Sequence, residues 1–355
     1  MVKLIVHIGH GKTGSSSIQQ TLLSGRDILA DQGIAYLGLM LEHGGGLNRH
    51  DWQKRSGSDI FFANARDPLT ANGEMFAALS EALSQCDRDG VTKAIWSNEW
   101  LAPRSGMVLP ALQKIAESGH EIEIQCYVRR HDKWAISAYS QWGLKHKSYD
   151  GRVRDFESWM PVFGGRSIRF ADDIKPWHDA FSDKLKVFNF DAIGDVVEHF
   201  LVNNQIAGVR PINENVSPSA VEIAAQAVFN SEHPISMRPS EYDKVASLLR
   251  RDAGTEQPLS TIDKLFPSQD ALKTLLDDRR DDIATLNEHL ARNGQPELDF
   301  TTPPRPVEHP TPWAMDQYLL RLVFGLNDEL IALRARVATL EASHKAKEKK
   351  LSHER

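Results

Sequence analysis

Lys3-Leu-Ile-Val-His-Ile-Gly-His-Gly-Lys-Thr-Gly-Ser-Ser-Ser-Ile-Gln-Gln-Thr-Leu-Leu-Ser24 is the stretch whose reading decides the fold. It opens with a short, mainly apolar run, Leu4 to Ile8, of the length of a buried strand. Gly9, Gly11 and Gly14 then crowd around Lys12, and Ser15-Ser16-Ser17 leads into Ile18, Leu22 and Leu23 at helical spacing. Strand, glycine-rich turn and helix together make a phosphate-binding geometry. Glycines let the backbone approach closely, first-turn N–H groups point outward, and the helix dipole favours an anion. Lys12 adds a point charge on a flexible stem. A strict nucleoside-triphosphate loop, G-x-x-x-x-G-K-[ST], would need glycine at position 6, where Val6 stands. The other reading of the stretch is a glycine-rich turn that holds no ligand.

Two further stretches carry chemistry. Trp96-Ser-Asn-Glu-Trp-Leu101 places Glu99 at a strand end among Ile95, Trp96, Trp100 and Leu101. Burial there would raise its pKa toward that of a general base. The alternative is a surface glutamate before a helix. His10, His43 and His50 are rival bases, with His10 inside the loop and better placed to touch cofactor or backbone. The second stretch is Tyr127-Val-Arg-Arg-His-Asp-Lys-Trp-Ala-Ile-Ser-Ala-Tyr-Ser-Gln141, a strand end followed by a helix. A guanidinium at Arg129 can grip a phosphate bidentately, and a serine on the following helix can converge on the same oxygens. Otherwise Arg129 caps a sheet edge and Ser137 lies on a helix surface. Arg130, His131 and Lys133 extend the basic cluster as solvated charges that supply a general field for an anion.

Lys12-Thr13-Gly14-Ser15-Ser16 resembles, position for position, the K-[ST]-G-[ST]-[ST] 5′-phosphosulfate loop of sulfotransferases that use 3′-phosphoadenosine 5′-phosphosulfate (PAPS). Residues 7–19 look most like the bacterial branch of that superfamily. The resemblance implies a P-loop-like sulfotransferase fold with PAPS as co-substrate and no required metal. It implies that Lys12 touches the 5′-phosphate and bridging oxygen, with Gly11 and Thr13, Gly14, Ser15, Ser16 and Ser17 around it as N–H and hydroxyl donors. Arg129 and Ser137, eight positions apart, match the family's 3′-phosphate segment. Glu99 looks like the strand-end glutamate base of several carbohydrate sulfotransferases. The family's adenosine-closing loop has no secure match; Arg210-Pro-Ile-Asn-Glu-Asn-Val-Ser217 is a candidate by position and polarity. The resemblance covers about residues 1–205.

Along the chain, strands are expected at 33–38, 92–96, 121–128 and 185–190, alternating with helices at 72–87, 108–118, 129–144, 156–163, 174–181 and 192–203. That alternation predicts an α/β fold, a parallel sheet flanked by helices. Residues 39–58, rich in Gly and His, read as an exposed loop. Beyond 205 the pattern is helical, at 219–229, 239–251 and 269–293. The expected organisation is one α/β domain over 1–300, a proline-rich linker at 301–313 and a C-terminal helix at 314–355. Leu319, Val323, Leu326, Leu330, Leu333, Val337 and Leu340 form a seven-residue seam. It predicts either a short coiled coil that makes a homo-oligomer, weakened by Gly325, or a helix packed back on its own domain.

The chain's 355 residues are 41% hydrophobic and 25% charged, ordinary for a globular protein. A net charge of −6 argues against a general nucleic-acid binder. Cys86 and Cys126 read as two reduced, buried thiols, and no spacing suggests zinc. No stretch reads as a signal peptide or membrane span, so a cytoplasmic location is expected. The leading expectation is a sulfotransferase acting on a hydroxyl or amine of an unidentified acceptor, with carbohydrate one candidate class. The rival enzyme is a P-loop kinase or triphosphatase, which needs a strand-end Asp that Ile95-Trp96-Ser97-Asn98 lacks. A third reading is a non-catalytic coiled-coil scaffold.

Overall fold

The structure, a computed structural model, describes residues 1–45, 48–63, 66–147, 149–151, 153–164, 168–212, 219–232, 236, 242, 266–305 and 307–353. In chain order the elements begin β1 (Lys3–His7), α1 (Ser15–Ser24), α2 (Arg26–Ala30), β2 (Ile34–Tyr36), α3 (Ser58–Phe61), α4 (Pro68–Arg88) and β3 (Lys93–Ser97). Then come α5 (Leu109–Glu117), β4 (Glu121–Val128), α6 (His131–Ala138), α7 (Phe156–Trp159), α8 (Phe170–Phe181), β5 (Leu185–Asn189) and α9 (Val196–Asn203). The chain continues through α10 (Ala220–Glu232), α11 (Gln269–Asp278), α12 (Arg280–Arg292) and α13 (Pro312–His353).

These elements fall into two compact units built from interleaved segments. The first takes Met1–Ala138, Pro161–Ser217 and Gln269–Arg305; the second takes Tyr139–Met160, Pro218–Ser268 and Pro306–Arg355. The first unit holds a five-stranded sheet in the order β2-β3-β1-β4-β5, with every pairing parallel. Its strands read as near-continuous apolar runs because both faces are covered: Leu4, Val6, Ala94, Ile95, Trp96, Ile124, Cys126, Tyr127 and Val128 are fully buried. On one side of the sheet Ile18 and Leu22 of α1 and Val197 and Phe200 of α9 pack with Ile5, Ile95, Tyr127 and Phe188.

β1 lies in the middle, with His7 opposite Ser97 of β3 and Gln125 of β4. The chain steps to one side of β1 for β2 and β3 and to the other for β4 and β5. Such a reversal opens a crevice at the carboxyl ends of the strands, where ligands of α/β sheets bind. The three stretches singled out in the sequence, after residues 8, 97 and 128, leave the sheet side by side at that edge.

Two expectations need correction. Residues 39–58 are not simply an exposed loop. Met40, Leu41 and Trp52 are buried, and the Leu39 carbonyl accepts hydrogen bonds from Trp96 Nε1 and Asn98 Nδ2, both at 2.9 Å. The apolar side chains in this stretch outweigh its glycines and draw it onto the end of β3. The expected helix at 269–293 is two helices, α11 and α12, because Arg279 leaves helical geometry at φ −111° and ψ 14°. The expected helix at 239–251 falls outside the described residues except for position 242, as do residues 213–217 of the candidate adenosine loop.

In the second unit, π-helical residues Tyr139–Lys145 precede α7, and α10 packs on them. Gln226 Nε2 donates to the Lys145 carbonyl at 3.2 Å and Asn230 Nδ2 to that of Leu144 at 2.5 Å. Val221, Ala224 and Ala225 of α10 form a core with Tyr242 and with Ala314, Met315 and Tyr318 of α13. α13 continues unbroken through Gly325. Among the described residues, no helix is long and apolar enough to cross a membrane.

Candidate active site

The glycine-rich loop owes its course to contacts that other residues could not make. Gly9 has φ 101°, and a Cβ on it would stand 2.9 Å from the Glu99 Cα. Gly14, with φ 83° and ψ 10°, caps α1 in the left-handed region, and a Cβ there would meet Val196 of α9 at 2.4 Å. Lys12 shares that region at φ 68°, which few non-glycine residues adopt. The first turn of α1 carries no acidic residue, so its dipole is left to face an anion.

The loop hydroxyls divide into two sets. Thr13 Oγ1 and Ser15 Oγ donate to the His10 carbonyl at 2.6 and 3.1 Å, bracing the loop from within. The sequence reading has these hydroxyls as ligand donors; in this structure both donate to the His10 carbonyl. Ser16 is exposed and Ser17 buried. Trp134 of α6 donates from Nε1 to the Gly11 carbonyl at 2.9 Å, so α6 also fixes the loop.

His10 is a structural centre of this loop. Its ring is buried, with Nδ1 3.5 Å from Cys126 Sγ and Nε2 3.3 Å from an Asp173 carboxylate oxygen on α8. Burial opposes its charge, but the facing Cys126 sulfur and Asp173 carboxylate outweigh burial and hold the pKa up at about 10. His43, half-buried near Tyr36, has a pKa lowered by burial. His50 stacks on Trp52 at 5.3 Å and lies 3.6 Å from Glu74.

Glu99 stands against the loop at the end of β3. It is half-buried, and its Oε2 accepts a hydrogen bond from Gln19 Nε2 of α1 at 2.7 Å. Gln19 also reaches the Ser97 carbonyl at 3.4 Å. The expected apolar enclosure is therefore only partial: Trp96 is fully buried, whereas the carboxylate has a polar partner. Oε1 has no protein donor among the described residues. Trp100 stacks with Phe62, and the Arg104 guanidinium lies 4.6 Å from the Trp100 ring centre.

At the end of β4, Arg129 has its Nε 3.5 Å from Asp191, which follows β5, and its guanidinium 5.1 Å from the Phe190 ring centre. That buried Nε makes no hydrogen bond to a protein acceptor among the described residues. Lys133 Nζ is 3.1 Å from the same Asp191 oxygen. Two cations against one carboxylate leave one positive charge at this corner. Ser137 is half-buried on α6. Arg130 and His131, expected to be solvated, are buried. Arg130 pairs bidentately with Asp132 at 2.7 Å and donates to the Asp299 and Thr302 carbonyls. His131 Nε2 lies 2.8 Å from Asp282. Both tie the 282–302 segment to the end of β4 and the start of α6.

Sequence reasoning missed Gln19, Asp173 and Asp191. Gln19 shares the buried face of α1 with Ser15, Ser17 and Thr21, so its polarity alone did not single it out. Cys86 and Cys126 are free and buried. Among the described residues, no cluster of His, Cys, Asp and Glu side chains is arranged to hold a metal ion.

No protein-family model matches the chain, and no curated protein matches it. The chain is similar to a solved structure, the crystal structure of a sulfotransferase from Alicyclobacillus acidocaldarius, at 14% identity and TM-score 0.36. The match covers 65% of this chain and 94% of that one. A likeness this distant carries no functional argument. Sheet and loop together define the class as an α/β protein with a glycine-rich turn at the end of its central strand.

Proposed function

We propose that the chain is a sulfotransferase that moves a sulfuryl group from PAPS to a hydroxyl or amine of an acceptor, with carbohydrate the favoured acceptor class. The observation that carries this reading is the junction at Gly9. A candidate base, Glu99, is packed against the backbone of a phosphate-type loop and steered by Gln19 from the helix that the loop opens. Glu99 Oε1 accepts the proton of the attacking hydroxyl as the acceptor oxygen bonds to sulfur and the bond from sulfur to the 5′-phosphate oxygen breaks. Lys12 and the first-turn N–H groups of α1 stabilise the charge that gathers on the departing phosphate. Arg129 and Lys133 receive the 3′-phosphate, with Ser137 of α6 as a further donor. The glutamate favours a carbohydrate acceptor through the family resemblance at Ser97-Asn98-Glu99-Trp100.

Calorimetric titration with 3′,5′-adenosine bisphosphate and, separately, with ATP and Mg²⁺ tests the proposal. The bisphosphate should bind without metal and more tightly than ATP. Arg129→Ala should weaken it by about 1.5–3 kcal/mol while leaving 5′-AMP nearly unchanged. Preference for ATP–Mg²⁺ would establish the kinase or triphosphatase reading instead, and no nucleotide binding would leave the scaffold reading.

A further inference from the structure

α13 leaves the core of the second unit after its third turn. Ala314, Met315 and Tyr318 are buried against α10, and Leu322 is partly so. From Leu326 to Glu341 every side chain that the structure describes is exposed. Yet Leu319, Val323, Leu326, Leu330, Leu333, Val337 and Leu340 run along this stretch at alternating spacings of four and three, each 45–70% exposed. Helices draw most of their stability from packing an apolar face, so a seam of this regularity left in water is an interface without its partner.

We propose that a second copy of this chain covers the seam, forming a parallel, in-register, two-stranded coiled coil between Leu319 and Glu341. In heptad terms Val323, Leu330 and Val337 occupy a, and Leu319, Leu326, Leu333 and Leu340 occupy d. Val323 and Val337, two of these three a residues, are β-branched, and β-branched residues at a with leucine at d favour two parallel strands. The flanking charges specify the same arrangement. Glu329 and Arg336 stand at g, and Arg334 and Glu341 at e. In a parallel pair each g residue faces the e residue five positions further along the other helix. Glu329 then meets the partner's Arg334, and Arg336 meets the partner's Glu341, both of opposite sign and both repeated by the two-fold axis. An antiparallel pair on the same seam sets Glu329 against Arg336 and leaves Arg334 and Glu341 without opposite charges. Gly325 falls at c, away from the seam, so it lowers helix propensity without opening the interface.

Sedimentation of the full chain at micromolar concentration should show a species of twice the 39.8 kDa chain mass. Glu329→Arg, at an exposed position, should raise the dimer dissociation constant roughly tenfold, since two attractions become two repulsions. Adding Arg334→Glu to that variant should restore dimerisation, because the partnered charges have merely exchanged places. A monomer throughout, a trimer, or a double variant no better than Glu329→Arg would overturn the proposal. The last of these is the antiparallel outcome, in which the introduced arginine would face the partner's Arg336 whatever stands at 334.

Discussion

His7 and His10 stand three residues apart, and their surroundings shift their pKa values in opposite directions. His7 is buried with Nδ1 2.7 Å from Ser97 Oγ and its ring edge-on to Tyr127 and Phe200. Burial, with the charge of His10 second, pushes its pKa down to about 3. For His10 the burial effect is overcome by Cys126 and Asp173, and the pKa rises to about 10. Their linkages to stability have opposite signs. A depressed histidine leaves the fold at full strength above its unfolded pKa of about 6.5 and weakens it as pH falls toward 3. A raised one stabilises fully below about 6.5 and loses that contribution as pH climbs toward 10. Urea unfolding between pH 6.5 and 9.5 should therefore show stability falling by on the order of 1 kcal/mol per pH unit. Asp173→Asn should flatten that slope; parallel slopes in variant and parent would show that Asp173 does not hold the His10 charge. Glu99 calls for a different readout. Glu99→Gln keeps the size of the side chain and removes the base, so sulfuryl transfer should slow by roughly 10²–10⁴ with bisphosphate affinity nearly unchanged. A rate within a few-fold of the parent would exclude Glu99 as base.

At the scale of elements, what the sequence disclosed was local and what it concealed was distant. β1, β3 and β4 were legible because each carries a run of buried apolar residues (4–6, 94–96 and 126–128), and the turn after β1 because three glycines and a lysine have few other uses. Apolar runs do not state which strand lies beside which, so the adjacency of the three motif-bearing ends came only from the pairing of His7 with Ser97 and Gln125. The start of α6 was misread for a related reason. Arg130 and His131 look like surface charges; Arg130 has one near partner, Asp132, but Asp282, Asp299 and Thr302, which bury the pair in the fold, lie more than 150 positions away, beyond any local pattern. Thr13 and Ser15 show a subtler limit. A hydroxyl in a phosphate-type loop can face a ligand or brace the turn, and composition is the same in both cases. Here the His10 carbonyl takes both hydroxyls.

At the scale of the whole molecule, the compact units are assembled from segments that alternate along the chain, so a cut chosen from sequence composition alone divides a core. A proline-rich stretch before residue 312 invites truncation near Pro304. That cut removes Ala314, Met315 and Tyr318, which pack on Val221, Ala224 and Ala225, and it removes the hydrogen bond between the Tyr318 and Tyr242 hydroxyls. Ending the chain after Gly325 keeps all of these contacts and removes the stretch from Leu326 on, whose described side chains are exposed. The two truncations should therefore behave differently. The one at Gly325 should lose self-association and keep the melting behaviour of the second unit. The one at Pro304 should lose both, since uncovering each large apolar side chain costs about 1.5–3 kcal/mol. Limited proteolysis should then cut α10 in the shorter chain and spare it in the longer one. Equal protection of α10 in the two truncations would show that the first turns of α13 are dispensable to this core, and that the helix serves association along its whole length.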